Sequence, residues 1–276
     1  MRQTGLALDP VMKTSLITLY GKALDARRSP SLLHDTMAAE AFDKLGADVA
    51  ALGVSPRMAL SAAARARHFD DWAAEFLSRH ERATVLHLGA GLDTRVWRLD
   101  PGPGVAWYDV DQPEVAEVRR RLYPERPGYR LVASSVTANA WLQEVRDDLP
   151  ALVIAEGLTM YLLPEEGRAL FRRVTGHFPS GVIMFDTHNR LAAWALNRRL
   201  RRISRTPMLR WAISDPGELE RAIPRLRCTA AVSALAAPST AGLSRALRAV
   251  ELLTRPVPVL HDAGLYLRYA FDGTAR

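Results

Sequence analysis

The segment Thr84–Asp111, TVLHLGAGLDTRVWRLDPGPGVAWYDVD, limits the folds open to this chain more than any other. Its short apolar run, Val85-Leu86-His87-Leu88, has the length and composition of a strand buried on both faces. Gly89-Ala90-Gly91 then turns the chain, and Leu92–Leu99 has helical character. After a Pro/Gly loop, a second apolar run ends in Asp109 and Asp111. A strand, a glycine turn, a helix start and an acid about 20 residues further on make up the crevice in which doubly wound α/β sheets hold nucleotides. The glycines let the backbone approach a ligand closely, and a carboxylate at the tip of the second strand can accept hydrogen bonds from both ribose hydroxyls. Asp109 and Asp111 are two apart and share one face of the strand. Asp111, at the strand end, is expected to meet a ribose or else to cap the helix that Gln112-Pro113 begins. Asp109 is expected to be structural.

Strand and helix signals alternate from Thr84 onward. Strands are expected at Thr84–Leu88, Val105–Val110, Tyr129–Ala133, Ala151–Ala155 and Gly181–Phe185. Helices are expected from Pro113, near Ala138–Trp141 and from Pro164, the last with Leu170, Phe171, Val174 and Phe178 as its inner face. This alternation predicts a Rossmann-like, doubly wound α/β fold, its mostly parallel sheet covered on both sides and its ligand at the carboxyl ends of the strands. The pattern breaks after Asp186. A helix is expected over His188–Ile203, with Leu191, Trp194 and Ala195 on one side, and a short one from Asp215-Pro216. Strand-like runs return only at Leu226–Val232 and Leu265–Phe271, a closing antiparallel pair separated by the helical stretch Ser244–Leu253. The whole of 1–276 is expected to be one domain: N-terminal helices over 10–82, a cofactor-binding core over 83–186, a helical insert over 187–224 and C-terminal strands over 225–276. An insert at the ligand end of a sheet is placed to cover a pocket.

The region before the first strand has helical signals and no alternation. Ser31 or Asp35 is expected to cap a helix running through Ala38–Val49, and Ser55-Pro56 to begin the next, Arg57–Arg82. At about 100° per residue, Met58, Ala62, Phe69, Trp72 and Phe76 of that helix fall within about 40° of one line. Arg65 falls on the same line, whereas Arg67 points away. An unpaired charge buried in an apolar stripe is very costly. Two readings are open for Arg65: a structural one, an internal ion pair with an Asp or Glu or a snorkelling side chain, and a functional one, a contact with an anionic group of a ligand.

The fourth expected strand runs into Ala155-Glu156-Gly157-Leu158-Thr159-Met160-Tyr161. Glu156 at its tip can bind an amino group, coordinate a metal, act as a base or anchor a loop. Gly157 permits close backbone approach, and Tyr161 either contacts the ligand or packs on the following helix. No G-x-S-x-G elbow, H-E-x-x-H or P-loop occurs. Among seven histidines, His188 is the best placed for the crevice, as a turn or packing residue or as a general base. The single cysteine, Cys228, excludes an internal disulfide and a cysteine metal cluster, and no metal site is expected. The net charge of +7 is concentrated near Arg198–Arg210, RRLRRISRTPMLR, which reads as a solvated helix face or as a contact with nucleic acid or membrane. No run approaches the ~18 apolar residues of a membrane span, and Asp9-Pro10 and Lys13 interrupt any signal-peptide core. A cytoplasmic protein is the expectation.

GAGLDTR, VDQP and EGLTMYL together are far more specific than a lone glycine turn. With SLITLYGKALDARR, AARARHFDDW and SVTANAWL, they resemble the leucine carboxyl methyltransferase family of class I S-adenosylmethionine-dependent methyltransferases, over a span from Thr14 to Phe271. Within it, the chain is most similar to the branch containing the tetracenomycin polyketide-synthesis O-methyltransferase. The resemblance implies a seven-stranded sheet with its last strand antiparallel, N-terminal helices and a helical insert over the substrate. It implies S-adenosylmethionine as cofactor and S-adenosylhomocysteine as product. Arg65 matches the family arginine that grips the methionine carboxylate, Gly89 and Gly91 the glycine turn, Asp111 the ribose acid and Glu156 the glutamate after the fourth strand. Ala90, Gln112, Ser135, Val136 and Gly157 complete the expected cofactor site. The family often has an acid near the adenine where this chain has Ser135-Val136-Thr137, and Ser135 offers a hydrogen bond in its place. The acceptor is expected to be a carboxylate or hydroxyl of a small, polyketide-like secondary metabolite, in a pocket with Lys22, Tyr161, Trp194 and Trp211. His188 and Tyr161 are the candidates for a catalytic part. Two other classes share pieces of the pattern. A NAD(P)-dependent oxidoreductase is disfavoured by Thr94 at the third fingerprint glycine and by AEGLTMYL; a non-catalytic nucleic-acid-binding module would use the arginine-rich insert. The expected partner is the small-molecule acceptor, with no nucleic acid and no membrane. The oligomeric state stays open.

Overall fold

The computed structural model describes residues 10–200, 208–241 and 245–272. Four helices come first: α1 (Pro10–Ala26), α2 (Thr36–Leu45), α3 (Val49–Leu52) and α4 (Pro56–Arg79). The alternating core follows as β1 (Ala83–Leu88), α5 (Arg95–Leu99), β2 (Val105–Asp111), α6 (Pro113–Leu122), β3 (Tyr129–Ala133), β4 (Ala151–Ala155), α7 (Pro164–His177) and β5 (Gly181–His188). Then come α8 (Arg190–Leu200), α9 (Gly217–Ala222), β6 (Leu226–Ser233), α10 (Pro238–Ala241), α11 (Arg245–Thr254), α12 (Pro258–His261) and β7 (Gly264–Phe271). Ala140–Glu144 forms only a 3₁₀ turn where a helix is expected.

The seven strands form one sheet in the order β3-β2-β1-β4-β5-β7-β6. β1 to β5 pair in parallel, and β7 runs antiparallel to both β5 and β6. Every residue of β1 and of β4 is buried, which is why those strands read as unbroken apolar runs. On one face Phe69 and Phe76 of α4 pack with Val85, Trp107 and Ile154; on the other Phe171 and Phe178 pack with Leu86, Val153 and Phe185. The strand order reverses direction between β1 and β4, and a crevice opens beyond their carboxyl ends at such a point.

Local chemistry sets the entry and exit of the N-terminal helices. Ser55 accepts a hydrogen bond from Met58 N–H, with Pro56 in the first turn. Asp35, not Ser31, caps α2, and Gly46 at φ +57° ends that helix before Val49. Ser31 instead donates to Asp25. α1 lies hard against α4, because Gly21 sits where a Cβ would come 2.0 Å from the Ala59 carbonyl oxygen.

Several expectations are corrected. Only Arg95–Leu99 of the Leu92–Leu99 segment is helical. β5 continues to His188, so the next helix starts at Arg190; its expected end, 201–203, lies outside the described residues, as do 204–207 of the basic run and Ser244. Leu191, Trp194 and Ala195 face solvent, whereas Ala193 is the buried residue of that helix. Met58 is 45% exposed rather than buried. Among the described residues no helix is long and apolar enough to cross a membrane.

Candidate active site

A cavity of about 1120 Å³ lies at the carboxyl ends of β1, β2, β4 and β5, roofed by α1 and α4. The turn after β1 forms its base. Gly89 and Gly91 have φ of +61° and +54°, and a Cβ at Gly91 would stand 3.1 Å from Ser15 Oγ of α1. These glycines serve both the turn and the close approach of the roof. At the tip of β2, Asp111 Oδ2 accepts Gly91 N–H at 2.6 Å and Oδ1 accepts Gln112 N–H at 2.8 Å. Burial pushes its carboxyl upward, and the two N–H donors pull it back. Gln112 itself holds the N-cap position of α6, so Asp111 is not the helix cap. Asp109 is structural: it accepts Trp107 Nε1–H at 2.8 Å and Tyr129 O–H at 3.0 Å, and pairs with Arg119.

On the β4–β5 side, Arg65 reaches from α4 to Glu156 and to Asp186, at 2.9 Å each. Its side chain keeps 21% of its surface exposed while both acids are almost covered. The two readings of Arg65 are therefore compatible, since an internal ion pair fixes the guanidinium in a cavity wall. Burial opposes its charge, but Asp186 and Glu156 outweigh burial and raise its pKa. Gly157, at φ +67°, donates its N–H to Asp186 Oδ1 at 2.5 Å, and a Cβ there would meet Arg65 Nη2 at 3.1 Å. Glu156 also pairs with Arg95. Burial pushes Glu156 up, but Arg95 and Arg65 prevail and bring it down to about 2.

Behind these groups lies a charged layer that the sequence did not reveal. Arg95 and Arg98 share Asp70 and Asp93, and Arg98 also binds Asp35. Thr94 Oγ1 donates to Asp35 at 2.5 Å, so the residue at the third fingerprint position braces this layer. Lys22 lines the cavity, yet its ammonium is 2.7 Å from Asp93 and the pair is buried. It is a wall element with its charge already matched. Asp186 carries no motif, being a lone acid near a strand end; its sequence signal is the two-residue offset that puts it on the same face of β5 as Met184.

The structure brings Arg65, Gly89, Ala90, Gly91, Asp111, Gln112, Ser135, Val136, Glu156 and Gly157 into one cavity wall. Lys22, Tyr161 and His188 line it as well. Ser135 Oγ lies 2.8 Å from Thr137 Oγ1. The two tryptophans do not join them. Trp211 is 3% exposed in the core, lodged against Gly167, where a Cβ would fall 1.8 Å from its ring. Trp194 is 59% exposed, with Arg198 stacked 5.8 Å from its ring centre. The insert contributes Met208 and Arg210 instead, beside Leu235, Leu247 and Leu265 from later elements. His188 Nδ1 is buried without a hydrogen-bond partner among the described residues. Burial, with Arg65, lowers the imidazole pKa and outweighs Asp186, which favours the charged ring, so the neutral form is favoured. Among the described residues no group of His, Cys, Asp and Glu is arranged to hold a metal.

Residues 15–175 match the leucine carboxyl methyltransferase family. The chain is 39% identical over 271 residues to the tetracenomycin polyketide synthesis O-methyltransferase TcmP of Streptomyces glaucescens, covering 96% of this chain and 98% of that one. It is 34% identical to the S-adenosyl-L-methionine-dependent methyltransferase dpfgK of Gibberella zeae, over 78% of this chain and 79% of the other. Its fold matches the magnesium protoporphyrin IX methyltransferase of Synechocystis PCC 6803, solved with bound S-adenosylhomocysteine, at a TM-score of 0.51 and 9% identity, covering 86% and 96% of the two chains. It also matches a DUF574 family protein from Streptomyces avermitilis at a TM-score of 0.59 and 16% identity, covering 87% and 95%. Sheet, glycine turn and relatives define an S-adenosylmethionine-dependent methyltransferase of the Rossmann-like class. Within that class, the chain belongs to the leucine carboxyl methyltransferase family.

Proposed function

We propose that the protein is an O-methyltransferase acting on a carboxylate or hydroxyl of a small secondary metabolite. The carrying observation is the placement of Asp111 and Arg65 on opposite sides of the β1 glycine turn in one cavity. That spacing suits a cofactor with a ribose at one end and an amino-acid carboxylate at the other. Each oxygen of Asp111 accepts one backbone N–H and retains a lone pair for a ribose hydroxyl. Arg65 spends Nε on Glu156 and Nη1 on Asp186, which leaves Nη2 beside Gly157 for a carboxylate. Glu156 and Asp186 thus orient the guanidinium. Bound S-adenosylmethionine supplies an electrophilic methyl group with its own leaving group. The chain's own part is alignment and exclusion of water.

Met208, Leu235, Leu247 and Leu265 give the acceptor side an apolar lining, which suits an extended carbon skeleton of the kind named for the Streptomyces relative. A carboxylate acceptor needs no base. A hydroxyl acceptor would give its proton to the neutral His188 imidazole. Incubating the protein with methyl-labelled S-adenosylmethionine and an extract of the producing cells tests the reading. A labelled small molecule is expected. Release of the label as methanol by alkali identifies an ester, and an alkali-stable label located on oxygen by NMR identifies an ether. Absence of any labelled product would overturn the assignment of an oxygen acceptor.

A further inference from the structure

Eight of the ten large apolar side chains exposed among the described residues lie on α8, α11, the turn into α12 and α12 itself. Leu252 and Leu253 are 60% and 76% exposed, and Trp194 is 59% exposed. α8 and α12 are tied together, because Asn189 Nδ2 donates to the carbonyls of Val259 at 2.8 Å and Asp262 at 3.1 Å. The start of α8, with Leu191 and Trp194 in its first turns, is thus held beside α12. Exposed apolar area of this density marks an interaction site.

The charges around it select the occupant. Arg190, Arg198, Arg199, Arg248 and Arg255 are all exposed, and none has a carboxylate partner among the described residues. Acids near it among the described residues include Glu251, Asp262 and Asp215, which follows the Ser214 that accepts Arg190 N–H; His261 engages Asp262 and Arg221 engages Asp215. A second copy docked by a twofold axis would bring two arginine-rich faces together. A nucleic acid would match the arginines but offer nothing to Leu252, Leu253 and Trp194. Arginines flanking exposed leucines and a tryptophan on short surface helices match an anionic bilayer, with apolar groups entering the headgroup region and guanidinium groups meeting the lipid phosphates.

We propose that the α8–α11–α12 face docks peripherally on anionic membrane. The lack of a spanning helix among the described residues does not bear on such a face. Leu247 of α11 lines the cavity while Leu252 and Leu253, on the other side of the same helix, are exposed, so α11 is shared by the cavity wall and the docking face. On the methyl-transfer reading, on which this last step rests, the acceptor is lipophilic and enters from the membrane.

Sedimentation of the full chain with phosphatidylcholine vesicles, with and without phosphatidylglycerol, tests the proposal. Binding is expected only with the anionic lipid. It should weaken severalfold as salt rises from about 0.15 M to about 1 M, which shortens the screening length from about 8 Å to about 3 Å. L252E combined with L253E should cost about tenfold or more in partitioning, and R198E with R199E should also weaken it. Both variants should keep wild-type affinity for S-adenosylhomocysteine, measured on the same samples. Failure to bind anionic vesicles, or undiminished binding by the leucine variant, overturns the proposal. So does a wild-type dimer in vesicle-free solution that the leucine variant converts to monomer. Loss of S-adenosylhomocysteine binding in the wild type would count against the methyltransferase reading and leave the docking result to stand on the vesicles.

Discussion

Replacing Glu156 by Gln keeps the shape of the side chain and removes the charge that Arg65 and Arg95 share. The carboxylate is 5% exposed, 2.9 Å from Arg65 Nε and paired with Arg95 Nη2. Its pKa of about 2 in the folded protein, against 4.5 for an ordinary glutamate, corresponds to about 3 kcal/mol of native-state stabilisation of the charged form. That matches the lower end of the roughly 3–5 kcal/mol lost when one partner of a buried ion pair is removed. The variant should therefore unfold in urea with a stability about 3 kcal/mol below wild type at pH 7. Because the folded pKa is depressed, this advantage is fully present above about pH 4.5 and drains away as pH falls toward about 2. The gap between the two proteins should hold from pH 7 to about pH 5 and then narrow. A variant as stable as wild type at pH 7, or a gap that widens on acidification, would refute the view that the two arginines hold Glu156 charged.

Asp111→Ala should weaken S-adenosylhomocysteine binding about tenfold or more, two lost ribose hydrogen bonds being worth at least ~1.4 kcal/mol; a parallel loss of circular-dichroism signal would mean that Asp111 only braces the turn. Arg65→Met should weaken the same ligand and lower the melting temperature, since Glu156 and Asp186 lose a partner; unchanged affinity would confine Arg65 to an internal ion pair. Trp211→Ala should cost about 3–5 kcal/mol in urea unfolding, whereas Trp194→Ala should stay within about 0.5 kcal/mol, and reversal of that order would contradict their placement.

The sheet was legible because its central strands are buried on both faces, so β1 and β4 stand out as apolar runs between turns. The capping residues Asp35 and Ser55 act through bonds to the nearest N–H groups, which sequence encodes locally. Arg65 could be found because a 3.6-residue period places it among buried residues. The partners of that arginine were another matter: Glu156 follows a strand and has a motif, whereas Asp186 lies 121 residues from Arg65 and has none. The layer of Arg95, Arg98, Asp70, Asp93 and Asp35 was invisible for the same reason, being assembled from α2, α4 and α5. Periodicity grouped Leu191 with Trp194 correctly on one side of α8, but it cannot say whether that side is covered. Trp211 went into the core because Gly167 leaves a notch in α7 of the right size, and a glycine inside a helix does not announce the ring that fills it.

Titration calorimetry of the wild-type protein with S-adenosylhomocysteine, with NADH as the comparison, tests the central assignment most directly. Saturable one-site binding of S-adenosylhomocysteine, weakened by Asp111→Ala and by Arg65→Met, is expected, with no heat from NADH. Saturable NADH binding, or no binding of S-adenosylhomocysteine by a folded protein, would contradict it.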